Sequence, residues 1–513
     1  MPTIVLAAVA VVLPARQAST GVPADIAIVD VNVVPLDRDG VLPHRTVVIH
    51  AGRIVSIALT GSTPTRAGAT VVQGAGRYLM PGLIDAHVHL FQRDDMARYL
   101  DAGVTTVRNM WGTPSVRTLQ AAVAAGTARG PTIISASPGL DGTPAQWPGT
   151  VQVLDSASAR DAVGRMAADG WPFIKVYTQL TPPAYRAIMA AARDANIPVV
   201  GHVPLRVDVR DALARHQRSI EHLTGYDRAV SRTSRSGTWG WSDADTTRFG
   251  GLIAATIAAG TWNVPTLAIY AKLAEQQPAA EHDAVVANRR AFVRALWAAG
   301  AYLLVGTDAG IDVVAPGSSL HDELAEFVAA GLTPYAALRA ATVDAADFLW
   351  RPDLGRVDVG ATADLLLVSG NPLADVGNAA HIEGLVLHGA WAPRATAPDI
   401  SGEYDTAVTL GDNNCGAVTV APMLTTIIQR PGQTAFTLTH GPLTYHGVLR
   451  DGDRFATDTQ TIALEGGSVA VAVRGTVGGG KLDARADVAM RTDRPCAYAV
   501  HWVGTRRPEP AGK

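Results

Sequence analysis

Four histidines, a lysine and an aspartate each close an apolar, strand-like run, in a fixed order along the chain. His87 and His89 end MPGLIDAHVHL, Lys175 lies in WPFIKVYT, His202 follows IPVVG, His222 follows RSIE, and Asp308 ends AYLLVGTD. On a strand, residues two apart point the same way, so His87 and His89 can offer two imidazoles to one cation. Taken singly, a His-x-His pair says little, and a lone histidine after an apolar run is usually a packed core residue. Four such histidines with an aspartate on one face carry more meaning, because imidazole nitrogens and carboxylate oxygens are ligands for zinc and its neighbours.

Lys175 is the odd member. Burial beside cations disfavours its ammonium form. Its residue type leaves three readings: a neutral amine, a carbamate formed with carbon dioxide that could bridge two metals, or a side chain that snorkels to solvent. Asp308, within GTDAG, suits a general base. A carboxylate touching one metal can accept a proton from metal-bound water, whose pKa the cation lowers, and can return it to the leaving group.

These residues meet only if the chain brings its strand ends together. Between about residues 81 and 350, apolar strands alternate with helical stretches such as SVRTLQAAVAAGTARG and PPAYRAIMAAARDAN, the pattern of a parallel α/β fold. The strands LIDAHVHL, GVTTVRNM, PTIISAS, FIKVYT, PVVGHVP, SIEHLTG, TWNVPTLAIY and AYLLVGTD number eight. That count predicts a (β/α)8 TIM barrel, which places its chemistry at the C-terminal strand ends. Residues 24–80 and 351–400 share a β-branched, glycine-broken vocabulary and predict one small β-sandwich domain built from both flanks. Residues 401–513 alternate polar and apolar positions between glycine-rich turns, which predicts an extra antiparallel β module. The chain's two cysteines, Cys415 and Cys496, sit near its start and end. A disulfide between them would tie the first strand to the last; two buried thiols are the alternative.

Composition narrows the function classes. The chain has 513 residues, 17% charged and 48% hydrophobic, with a formal net charge of −3. No Lys/Arg block stands out, which argues against nucleic acid as a partner. Residues 1–18 begin MPTIVLAAVAVVLPA, a run of signal-peptide length that is too short to span a bilayer, although no basic residue precedes it. With the cysteine pair it predicts export to the periplasm or the cell exterior.

The runs LMPGLIDAHVHL, IKVY, GHVP, EHLTG and VGTDAG together resemble the amidohydrolase superfamily, in particular its imidazolonepropionase-like and prolidase-like branch. The segments SLHDELAEFVAAGLTPYAALRAATVDAADFLW and LGRVDVGATADLLLVSGNPLADV resemble that branch's helix after strand eight and its returning β domain. The resemblance implies a binuclear centre with two divalent ions, typically Zn2+: His87, His89 and Asp308 on one, His202 and His222 on the other, and Lys175 bridging as a carbamate. One departure is GVTTVRNM, where Asn109 replaces the family's usual acid. The implied reaction is hydrolysis of amide bonds in dipeptides, Xaa-Pro-like ones among them, or N-acyl amino acids, with a metal-bridging hydroxide as nucleophile. A lactonase or esterase would use the same ligands, and a metal-binding protein without turnover would lack one of them. Tyr177, Arg108 and His321 are candidate contacts for a substrate carboxylate, each with a plain packing or salt-bridge alternative. Trp111 and Trp147 are candidates for an apolar pocket wall. The expected partner is a small molecule or dipeptide, and self-association is left open.

Overall fold

The computed structural model describes residues 25–508 apart from 63–67, 276–277, 312, 395–397, 430–433, 451–452, 465–466 and 493. The expected signal peptide at residues 1–18 lies outside the described residues. The chain divides into two compact units, one ending at Ala392 and the other beginning at Pro393. Among the described residues, no helix is long and apolar enough to cross a membrane.

In the first unit, both flanks of the chain feed one sheet. Its order is Ala390–Pro393, Ile382–Leu387, Leu365–Val368, Tyr78–Pro81, Ile26–Val33, Leu42–His50 and Arg53–Leu59, with Thr70–Gln73 also pairing with Ile26–Val33. The flanks join where Leu365 faces Pro81 and Val368 faces Tyr78 in antiparallel register. Ile26, Ile28, Val47, Ile49, Leu365 and Leu367 bury one continuous apolar face there, as period-2 alternation requires.

Tyr78–Pro81 leads directly into a parallel sheet of Leu83–Val88, Val104–Asn109 and Thr132–Ser135. A second, six-stranded sheet runs Val151–Gln152, Leu140–Asp141, Ile174–Val176, Val199–Gly201, Ser219–Glu221 and Trp262–Val264. Backbone bonds link the first of these sheets to the second on one side and to the AYLLVGTD segment on the other. Ser137 N donates to Phe173 O at 2.9 Å, and Ala86 N donates to Val305 O at 3.0 Å. The run AYLLVGTD is extended but makes isolated bridges, Asn263 to Leu303 and Val88 to Ala309, in place of a continuous ladder. TWNVPTLAIY is a strand only over Trp262–Val264 and becomes a helix over Leu267–Ala274. Pro265 carries no N–H for a ladder, and Glu323 accepts from Leu267 N and Ala268 N at 2.8 and 2.7 Å, seating the new helix.

A repeated Thr-Pro pair starts several of the covering helices. Thr113, Thr181 and Thr333 accept from the backbone N–H three residues on, ahead of Pro114–Ala124, Pro182–Asp194 and Pro334–Ala340. The hydroxyl satisfies an orphan donor, and proline at the first helical position has no donor to lose.

The second unit is an antiparallel β barrel. Its strands are Gly402–Asn413, Met423–Gln429, Ala435–His440, Leu443–Arg450, Arg454–Thr457, Gln460–Leu464, Gly467–Gly478, Lys481–Arg491 and Cys496–Arg506. Arg454–Thr457 and Gln460–Leu464 both pair with Gly467–Gly478, and the last strand pairs with the first from Tyr404↔Arg506 to Asn413↔Tyr498, closing the ring. Tyr404, Ile427, Phe436, Tyr445, Phe455, Leu482 and Trp502 fill its core. A disulfide joins Cys415, just past the first strand, to Cys496 at the start of the last, with Cα atoms 5.1 Å apart.

That bond closes a sequence separation of 81 residues. Cys415→Ser with Cys496→Ser is expected to lower the unfolding free energy of the second unit by about 2–4 kcal/mol. Calorimetry should show one transition moving down while the transition of the first unit stays in place.

Candidate metal centre

The six residues at the strand ends gather in one buried cluster. His87 and His89 present Nε2 to the same oxygen of Asp308, Oδ1, at 3.2 and 3.0 Å. These three residues have ligand atoms within 4.8 Å of one another and could hold a metal ion. Asp308 Oδ2 is 3.9 Å from His222 Nε2. The His222 ring lies 4.6 Å from His87 and 4.9 Å from His202, centroid to centroid. Lys175 is fully buried, and its Nζ has no hydrogen-bond partner among the described residues.

The motif VGTDAG works because two of its residues lack a side chain. A Cβ on Gly306 would meet His87 Cβ and N at 2.9 Å, and one on Gly310, at φ +111°, would meet His89 O at 2.0 Å. Only glycine lets the Asp308 segment close against the strand that carries the histidine pair. Asp85 ties the same two segments together. Its Oδ1 accepts from His87 N and Thr307 N at 3.2 and 3.1 Å, and its Oδ2 accepts from Thr307 Oγ1 at 2.7 Å. Burial pushes the Asp85 carboxyl up to about 7 against these bonds.

A second layer of bonds fixes the histidine rings. His87 Nδ1 contacts Glu221 Oε2 at 2.7 Å, so Nδ1 carries the hydrogen and Nε2 faces the cluster with its lone pair. His222 Nδ1 pairs with Thr266 Oγ1 at 2.9 Å, and His202 Nδ1 with Thr178 Oγ1 at 3.1 Å. Burial pushes His222 down to about 3 and also lowers His89 and His202. Neutral imidazoles are the form that binds metals. A lone pair on His87 Nε2 facing a carboxylate oxygen is repulsive unless a cation lies between them, so the donor set fits a metal.

Glu221, the residue before His222, does not stand out in the sequence. It is buried between His87 and Arg108, whose NH2 donates to both its oxygens at 2.9 Å. Burial would raise this carboxyl, but the Arg108 charge and the His87 bond hold it below the ordinary range. Arg108 is therefore not a substrate contact. Its remaining donors go to Ala86 O at 2.5 Å and Ser219 Oγ at 3.2 Å, and it is inaccessible. His321 is also displaced from the expected role: its Nε2 pairs with Ala102 O at 2.9 Å. Ala102 precedes the strand Val104–Asn109, so His321 stands at the starting end of the strands, away from the cluster. Tyr177 lies beside the cluster, its ring 4.3 Å from His202.

The Asn109 departure has a physical reason. Its Oδ1 accepts from Leu90 N at 2.9 Å while its Nδ2 donates to Trp111 O and Ser135 Oγ at 2.8 Å. An ionised carboxylate cannot donate.

Three residues of the cluster region sit in the left-handed backbone region: His222 at φ +60°, Thr266 at +48° and Asp308 at +61°. Such strain persists where the surroundings over-determine it. Arg289 NH1 and NH2 donate to His222 O at 3.2 and 3.3 Å, and NH2 donates to Pro265 O at 2.6 Å.

The profile of the amidohydrolase family matches residues 78–392. The chain belongs to the amidohydrolase family. The family match ends at Ala392, where the first compact unit ends. Imidazolonepropionase of Mycolicibacterium smegmatis is 28% identical over 373 residues, 64% of this chain and 85% of its own length. A Bifidobacterium longum protein assigned as a prolidase superposes with a TM-score of 0.60 at 25% identity, covering 72% of this chain and 95% of that one. Bottromycin amidohydrolase gives a TM-score of 0.59 at 27% identity, over 72% of this chain and 87% of that one.

Glu221→Gln would leave the Arg108 guanidinium buried without its counter-charge, a loss of about 3–5 kcal/mol. It would also weaken metal affinity about 10–100-fold through the loosened His87 ring. Because the folded carboxyl titrates below its ordinary value of 4.5, its stabilisation is present above about pH 4.5 and fades as pH falls towards the folded value. Denaturation from pH 3 to 7 should therefore show a smaller acid-side loss in the variant than in the wild type. Equal pH slopes would refute this role for Glu221.

Proposed function

We propose that this amidohydrolase-family chain hydrolyses amide bonds in small substrates such as dipeptides or N-acyl amino acids, at a pair of divalent ions. The observation that carries the reading is the convergence of six strand-end residues with Asp308 Oδ1 shared by His87 and His89. In this reading His87, His89 and Asp308 hold one ion and His202 and His222 the other, with Lys175 between them as a carbamate. Imidazole and carboxylate ligands suit zinc. The two parallel sheets and the AYLLVGTD segment then form one (β/α)8 barrel with all six residues at its C-terminal end. The names imidazolonepropionase, prolidase and bottromycin amidohydrolase among the relatives support amide hydrolysis. The disulfide and the apolar N-terminal run support export.

Bound ions would activate water and polarise the scissile carbonyl. The chain's own groups do the rest. Asp308 Oδ1 faces Nε2 of both His87 and His89 and would be the oxygen that meets the ion, whereas Oδ2 has only the 3.9 Å approach of His222. Oδ2 is thus the atom that takes a proton from the attacking water and hands it to the leaving amine. Burial lowers the Lys175 amine to about 8, so part of it is uncharged near neutral pH. Neutral Nζ adds to the carbon of carbon dioxide and releases one proton. The product replaces a buried, unpaired cation with an anionic oxygen donor. In this reading Tyr177, beside His202, touches the substrate.

Wild-type protein should contain about two ions per chain, as in two-metal hydrolases, and should cleave members of a panel of dipeptides and N-acyl amino acids. Lys175→Ala should lose metal and at least about a hundredfold in kcat/KM. One ion in both proteins, with activity indifferent to Lys175, would sink the bridged centre; cleavage of esters or lactones alone would replace amide with ester chemistry. Recovery of chelated protein in metal at a fixed concentration of dissolved carbon dioxide should quicken as pH rises through about 8 and level off above it, following the neutral fraction of Lys175.

A further inference from the structure

An arc of aromatic rings runs from the His89 side of the cluster to the His202 side. Phe91 stacks on His89 with centroids 5.8 Å apart and planes 7° apart. Trp111 lies 6.5 Å from His89 and meets Tyr177 edge-on at 5.4 Å. Tyr177 packs against His202, and Trp147 Nε1 donates to the Tyr177 hydroxyl oxygen at 2.7 Å. Phe91 and Trp147 are 54% and 40% exposed, so the arc presents aromatic surface to solvent at both ends.

The segment carrying Trp147 is held in place. Trp111 Nε1 donates to Pro148 O at 3.1 Å, and Thr150 Oγ1 donates to Trp147 O at 2.6 Å. Asp141 Oδ1 accepts from Gln179 N at 2.5 Å at the base of the same segment. Indole N–H donates and never accepts. Trp147 therefore fills a lone pair of the Tyr177 oxygen, so the hydroxyl hydrogen can turn from the neighbouring Thr178 hydroxyl to a bound group. Aromatic faces and edges hold a further ring by stacking and edge contacts, beyond what area burial supplies, and exposed rings beside a reactive centre mark a ligand groove.

We infer that this arc is the side-chain pocket of the substrate, that it selects amides whose residue carries an aromatic ring, and that Trp147 sets Tyr177 as the donor to an oxygen of that substrate. The inference rests on the amide-hydrolase reading of the centre and adds the class of side chain it accepts.

The test compares N-acetyl-phenylalanine and N-acetyl-alanine, which differ only in the ring, on metal-loaded wild type, Trp147→Ala, Trp147→Phe and Tyr177→Phe. Wild type should favour the phenylalanine compound by about tenfold or more in kcat/KM, the worth of one aromatic contact. Trp147→Ala should bring that ratio towards one. Trp147→Phe keeps a ring but loses the donor, so it should keep most of the ratio while both values of kcat/KM fall about as far as in Tyr177→Phe, and the double variant Trp147→Phe with Tyr177→Phe should fall no further. A wild-type ratio near one, or a ratio unmoved in Trp147→Ala, would overturn the pocket. Additive losses in the double variant would overturn the Trp147–Tyr177 coupling. If wild type cleaves neither compound nor any other amide, the amide-hydrolase reading fails by itself. The pocket is then judged by calorimetry on the uncleaved pair: tighter binding of the phenylalanine compound that Trp147→Ala abolishes supports it, and equal binding ends it.

Discussion

The structure of the centre depends on one buried carboxylate. Glu221 accepts both NH2 contacts of Arg108 and holds Nδ1 of His87. Arg108 reaches across to Ala86 O on the first parallel strand and Ser219 on the strand that carries Glu221. An isolated charge in such a place would be far too costly; paired and fully bonded, it becomes a rigid cross-link between strands that share no ladder. The cross-link also decides the chemistry. By fixing the hydrogen of His87 on Nδ1, it turns Nε2 towards Asp308, and the shared oxygen of Asp308 brings His89 to the same point. The ligand geometry thus follows from a salt bridge that touches no ligand position directly except through one imidazole.

Asp85 extends the same logic with a different bond. The GLID run that places the histidine pair also supplies the carboxyl that grips Thr307 next to Asp308. One strand therefore contributes two residues of the group that could hold a metal and the clamp for the third, which is why MPGLIDAHVHL and VGTDAG read as matched halves. With Gly306 and Gly310 removing the side chains that would hold those halves apart, their approach is set by backbone sterics and needs no long-range guidance.

Much of this was legible without coordinates, and the misses share a cause. Strand-end histidines, the lysine, the aspartate and the flanking strands could be found because each follows from a local pattern, and the cysteine pair because the chain has only two. Arg108 was read for its guanidinium alone; the sequence shows a cation but not the carboxylate 113 residues away that consumes it. Glu221 was passed over for the converse reason, since an acid beside a ligand histidine looks like solvent-facing polarity. His321 was placed by chain order, which does not say at which end of the strands a helix begins. TWNVPTLAIY looked like one long strand by β-branched and aromatic content, yet Pro265 and the distant Glu323 end it after Val264. Alternation in residues 401–513 announced antiparallel strands, and the cysteine pair announced that the first lies by the last; that Arg454–Thr457 pairs with Gly467–Gly478 is encoded by no local period.

Strain shows where the fold spends stability on position. His222, Thr266 and Asp308 are all left-handed without being glycine, a backbone state that costs of order 1–3 kcal/mol per residue. Two buried polar side chains hold the strained turns of the first pair. Arg289 donates to the carbonyls of His222 and Pro265, and Glu323 accepts from the two N–H groups that follow Thr266. Neither group reaches the cluster. What they stabilise is a backbone turn that would otherwise relax and carry the His222 ring, bonded through Thr266, away from Asp308. Arg289 and Glu323 lie on the helices Ala279–Ala298 and Ser319–Ala329, so the outer helices of this unit also act as braces for a ligand. This explains why a centre built from short strand ends can keep its geometry: the strands supply the direction, and buried hydrogen-bonding groups on the covering helices hold the turns that direction alone would not sustain.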